Sequence, residues 1–462
     1  MPDRIRAALL LAAPMIVAAS LAVAKQDPAG TAPPPAADSK QSSGPIYQPP
    51  TKPLDPRIKP EKVTQYDPPP LPQKVVAPHP PVHRTASKAE QVPLSAESFA
   101  KAQDAIKRGL EYLRSTQSKS GYWSPKSQAA PTNEPDKPSP VAVAITALAL
   151  KGFIQQGIDL KQDAKLARAL AVLVSARQPD GSFAEGNQAN YITSAVVSSL
   201  AAVGDTDTHD ALVEGLAWLQ VNQWEQGEGV SAQQDWFGGA GYGNGQRPDL
   251  SNTQMMLDAL YDAGLSPDEP AFQKALSFAS RTQNLKATNS APWAGNDGGF
   301  IYSPANGGES MGSEAAGEGR YGEKIAADEP RSLRSYGSMT YAGFKSMLYA
   351  GLSADDVRVR AAFDWLRTHW TFDENPGVGG QGLYYYYHTL SRALFVAQQD
   401  EIADDKGNKH NWRVELIDAI VKRQKDDGSW SNEADRWMEG DPALVTAYCV
   451  LALQETIKPT KE

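Results

Sequence analysis

The chain has 462 residues, a formal charge of −9 and a mean hydropathy of −0.46. An acidic chain of this kind lacks the clustered basic surface that nucleic-acid binding requires. Its length allows a large buried core, and a single cysteine excludes an internal disulfide.

Residues 1–24 read as a signal peptide. Arg4 and Arg6 supply the positive start, residues 7–21 form a short apolar run broken by Pro14, and Ala22-Val23-Ala24 is a small-x-small cleavage site. This predicts a secreted or periplasmic protein; the alternative is an uncleaved membrane anchor. Residues 25–96 read as a disordered, proline-rich linker. Eighteen prolines lie between Pro28 and Pro93, and such a segment favours extended polyproline conformations over packing. It would serve as a spacer near a membrane or wall.

From residue 97 the apolar periodicity predicts six helical hairpins. The expected pairs are 98–116 with 139–151, 164–177 with 190–203, 208–222 with 250–263, 270–283 with 336–350, 355–369 with 384–398, and 411–425 with 441–455. The first member of each pair is amphipathic and the second is apolar nearly all round. The fold class is therefore all-α: a single α6/α6 toroid over residues 97–456, with an outer and an inner helix ring, followed by a tail at 457–462. Loops from outer to inner helices are long and must share one end of the ring. That end also receives the inner-helix N-termini, whose dipoles favour anions. Cys449, on the last apolar helix, reads as a buried inert thiol.

A short phrase recurs along these hairpins: Gln117-Ser-Lys-Ser-Gly121-Tyr122-Trp123, Gln178-Pro-Asp-Gly181-Ser-Phe183, Gln424-Lys-Asp-Asp-Gly428-Ser-Trp430, and more loosely Asn296-Asp-Gly-Gly299-Phe300. With the hairpin period, it resembles the repeat of squalene and terpene cyclases and of protein prenyltransferase β-subunits. The resemblance implies that Gln117, Trp123, Gln178, Phe183, Gln424 and Trp430 are structural ties between hairpins. The family's chemistry does not carry over. No D-x-D-D string supplies a cyclase acid, and Asp205 and Asp356 read as helix caps. Tyr387-His388-Thr389 echoes one zinc ligand of the prenyltransferases, but the matching Asp and Cys are absent, so no zinc or other cofactor is expected.

The candidate catalytic residues are His388, Tyr384 and Tyr336, placed by the pattern at the cavity mouth. The candidate ligand-binding residues are Asp435, Arg436 and Trp437 in the sixth loop, Asp235 and Trp236 in the third, Arg334 in the fourth and Glu374 in the fifth. Three functions fit. One is a toroid that binds a small molecule, glycan or protein on its loop face. The second is an enzyme on an isoprenoid-like apolar substrate. The third is a polysaccharide lyase-like toroid.

Overall fold

The computed structural model describes residues 93–125, 137–186, 188–243, 245–322 and 331–459. The signal-peptide expectation for 1–24 and most of the linker expectation lie outside these residues. No helix among the described residues is long and apolar enough to cross a membrane.

Among the described residues, twelve principal helices alternate between two rings. The outer helices are α1 (Ala96–Thr116), α3 (Ala164–Ser175), α5 (His209–Val221), α7 (Pro270–Thr282), α10 (Val357–Thr368) and α12 (Trp412–Lys422). The inner helices are α2 (Pro140–Gln155), α4 (Ala189–Val203), α6 (Leu250–Asp262), α9 (Gly337–Tyr349), α11 (Leu383–Ala397) and α13 (Pro442–Ile457). A short α8 (Met311–Ala315) lies in the fourth loop. Each inner helix packs on the next, and α13 packs back on α2 and α1, so the ring closes. Two small antiparallel pairs decorate the loops: β1 (Ala240–Gly241) with β2 (Pro248–Asp249), and β3 (Glu401–Ala403) with β4 (Lys409–Asn411).

Local chemistry sets the helix starts. Ser95, Ser139, Asp163, Asp249, Asp356, Asn411 and Asp441 each accept a backbone N–H in the first turn of the helix they precede. Pro140 and Pro442 occupy first-turn positions, where the missing N–H costs nothing. Asp205 caps the short turn before α5.

The recurring phrase is one tie built the same way around the ring. Gln117 Nε2 donates to the carbonyl of Gly121 in its own loop (2.8 Å) and to that of Lys165 on the next outer helix (3.0 Å). Gln424 does the same with Gly428 (2.9 Å) and Ala105 (3.0 Å), joining the last hairpin to the first. The third loop holds a copy that escaped the sequence pattern, and the looser copy at 296–300 has its glutamine at Gln283. Gln223 bonds Gly238 and Ala271, and Gln283 bonds Gly298 and Arg358, all within 2.8–2.9 Å. Gln178 departs from the rule and bonds the carbonyl of Ala176. A second anchor runs inward: the backbone N–H groups of Trp123, Phe183, Ala240, Phe300 and Trp430 donate to Thr146, Thr193, Thr253, Thr340 and Thr446 on the inner helices. The fifth hairpin follows neither pattern. There Trp370 Nε1 donates to Glu415 of α12 (2.9 Å).

Glycine is required in this tie because the loop backbone lies against the next outer helix. Gly428 has φ +85°, and a Cβ would stand 2.5 Å from the Arg108 carbonyl oxygen; at Gly238 the clash with Lys274 would be 1.9 Å. Gly428→Ala combines a left-handed backbone with a steric clash. It should destabilise the toroid by roughly 1–3 kcal/mol in urea unfolding, and an unchanged midpoint would refute this account of the tie.

The inner helices are not apolar nearly all round, as their sequences suggest. Lys151, Asp258, Asp262, Lys345, Arg392 and Glu455 turn inward in the C-terminal halves of five of them. These charges satisfy one another rather than water, which is how the ring accommodates them.

Candidate functional site

Two cavities lie along the axis of the ring among the described residues. The first lies at the loop end, with a volume of about 560 Å³ that includes open solvent. Its wall is built from six tyrosines (Tyr191, Tyr242, Tyr302, Tyr336, Tyr385 and Tyr448), together with Met311, Met339, Ser251, Ser338 and Trp437. The tyrosines come from α4, α11 and α13, from the residue preceding α9, and from the third and fourth loops. Their hydroxyls pair with one another: Tyr191 with Tyr448 at 2.9 Å and Tyr242 with Tyr302 at 3.2 Å, while Gln254 Nε2 donates to Tyr385 at 2.9 Å. Burial pushes the Tyr191 phenol up to about 12 and raises those of Tyr302, Tyr336, Tyr385 and Tyr448 well above the ordinary phenol range. These groups therefore act as hydrogen-bonding hydroxyls and not as bases.

The sixth loop covers this cavity. Trp437 and Met438 both have left-handed backbone (φ 62° and 63°), a conformation that costs of order 1 kcal/mol or more per non-glycine residue. The Trp437 ring lies against Gly382 at the start of α11, where any Cβ would stand 2.8 Å away. Arg436 sits 4.8 Å over that ring and holds Gln381 and Glu314, each at 2.9 Å. Glu439 turns inward beneath the loop and accepts the N–H of Tyr385 (2.7 Å) and the Asn432 amide (2.7 Å). Burial raises its carboxyl to about 7, although Asn432 and the N–H groups at the start of α11 pull it down.

The structure splits the His388, Tyr384 and Tyr336 trio. Tyr336 lines the loop-end cavity. His388 lines the second cavity, deeper along the axis, and its ring stacks on Tyr448 with centroids 5.2 Å apart. Tyr384 faces the other side of α11, edge-on to Tyr387 at 5.8 Å and near Cys449 and Arg423. The neighbour that reaches the loop-end cavity from this helix is Tyr385, three residues before His388. A run of four tyrosines carries no phase signal, so the sequence alone did not single it out.

Of the loop candidates, Trp437 lines the cavity and Arg436 braces it. Asp435 is exposed and accepts the Gly440 N–H (2.6 Å), closing its own turn. Trp236 is buried in a satellite cluster with Trp224, Val230 and Ala305, and Asp235 accepts the N–H of Asn306 (3.1 Å). Arg334 is exposed and pairs with Glu318, and Glu374 is exposed on the fifth loop.

Residues 133–302 match the family model of the squalene-hopene cyclase C-terminal domain. Among solved structures, similar chains include a type II terpene cyclase from Scytonema with geranylgeranyl dihydroxybenzoate as substrate (14% identity, 78% of this chain and 99% of that chain, TM-score 0.45). Others are a D-mannose isomerase (11%, 79% and 99%, TM-score 0.49) and an alpha-amylase from Clostridium perfringens (12%, 76% and 97%, TM-score 0.43). No curated protein matches the chain.

Proposed function

We propose that this chain is an exported binding toroid whose loop-end cavity holds a small, mostly apolar molecule carrying a hydroxyl or carbonyl group. The observation that carries this reading is the composition of the wall: aromatic and thioether surface with phenolic hydroxyls, and no carboxylate, imidazole or cation among the eleven lining residues. This wall has the character of small-molecule sites, which are typically apolar with a few placed polar groups. The match to a squalene-hopene cyclase model supports an isoprenoid-like apolar body for the ligand. A cyclase reading would require an acid aimed into this cavity. A lyase reading would require His388, a tyrosine and an arginine around one sugar unit, whereas His388 and Tyr336 line different cavities.

The test is a titration of the full chain with farnesol, followed by tryptophan fluorescence. Saturable quenching is expected, and Met339→Trp, which fills the cavity, should weaken it by about tenfold or more, about 1.4 kcal/mol. Absence of saturable binding, or an unchanged affinity in Met339→Trp, would count against the site. Conversion of farnesol or squalene to a cyclised product would replace binding with catalysis.

A further inference from the structure

The second cavity lies further along the axis, towards the C-terminal ends of the inner helices, with a volume of about 440 Å³ that includes open solvent. We infer that it is a separate binding site for a small neutral polyol.

The argument starts from charge. Lys151 donates to Asp262 (2.5 Å) and Ser198 (2.6 Å), Lys345 to Asp258 (2.7 Å), and Arg392 to Asp262 (2.5 Å) and Glu455 (3.1 Å). Three cations and three carboxylates are thus paired with one another, and the part-exposed Lys458 adds a fourth cation against Glu455 (2.6 Å). A charged ligand would enter a low-dielectric space with no unpaired counter-charge to meet it, a costly transfer. The ligand is therefore neutral.

The unused hydrogen-bonding atoms on this wall define the rest. Gln155 Oε1, Glu455 Oε2, His388 Nδ1 and Ser194 Oγ are buried and have no partner, and the Ser194 and Glu455 residues are 0% and 6% exposed. Two of these four atoms can only accept, and the other two can accept. Buried acceptors left unpaired are costly, so the complementary molecule is rich in hydroxyl donors. A core built for stability alone would favour apolar residues here, because replacing buried ion networks by packed apolar groups is often neutral or stabilising.

The experiment is calorimetric titration of the full chain with glycerol, myo-inositol and D-glucose, alongside inorganic phosphate and tetramethylammonium as charged probes. Saturable binding of at least one polyol is expected, weakened at least about tenfold by Ser194→Val and by Gln155→Leu. Gln155 is partly exposed, so the second variant preserves the test if the first fails to fold. Farnesol binding at the loop end should survive both changes. The proposal is overturned if no polyol binds, if only a charged probe binds, or if polyol affinity is unchanged in either folded variant.

Discussion

Trp430→Ala should lower the unfolding free energy of the toroid by about 3–5 kcal/mol, the usual cost of truncating a fully buried tryptophan. The side chain is 0% exposed and fills the seam between the last hairpin and the first. Its ring lies so close to Gly109 of α1 that a Cβ there would stand 2.9 Å from Cζ3, and it also bounds the space next to Val450 and Thr446. Its Nε1 donates to the Ile420 carbonyl at 2.8 Å, a bond that the alanine variant loses, leaving that oxygen only the Arg423 N–H (3.1 Å). Trp430→Phe keeps most of the packing and loses the hydrogen bond, so its cost should be nearer 1–2 kcal/mol. Urea unfolding followed by circular dichroism measures both. Equal losses in the two variants would show that the hydrogen bond, and not seam packing, holds the closure.

Removing one partner of the buried ion network should be as damaging. Arg392→Met takes away a guanidinium that serves Tyr349 (3.0 Å), Glu455 and Asp262 together. Asp262 then keeps Lys151 and Glu455 keeps Lys458, yet both lose half of their compensation. Breaking a buried pair in this way typically costs about 3–5 kcal/mol. A pH signature accompanies the loss. Burial opposes ionisation of Asp262, but Lys151 and Arg392 outweigh it and hold its carboxyl below the ordinary range. A depressed folded-state value contributes stability above the unfolded value, near pH 4, and loses it as the pH falls. Wild-type stability should therefore drop on acidification below about pH 4 more steeply than that of Arg392→Met. Parallel acid-unfolding curves would mean that Arg392 does not set the Asp262 ionisation.

The hairpins were legible because their period is long and repeated: every predicted helix pair has its counterpart within a few residues. The tie between hairpins was legible only where Gln and Gly stand close together. In the third and fourth loops inserted residues separate Gln223 from Gly238 and Gln283 from Gly298, so the same geometry hides from a short pattern. The threonine anchors looked like filler in apolar helices, although each binds a backbone N–H. The axial charges were missed for a related reason. Taken one helix at a time, Asp258 with Asp262 or His388 with Arg392 is a minor polar interruption. Only the four-residue spacing, repeated on neighbouring inner helices, announces a shared inward face. Among the site candidates, the rotation of α11 decided which tyrosine of the run meets the axis, and four tyrosines in succession gave no rotational cue.

Tyr448 borders the loop-end cavity, bonds Tyr191 across the axis and carries the stacked ring of His388, which borders the deeper one. The central bore is thus a pair of chambers sharing a party wall of two stacked rings. An occupant of either chamber would therefore rest against a ring that is itself stacked on the other chamber's wall.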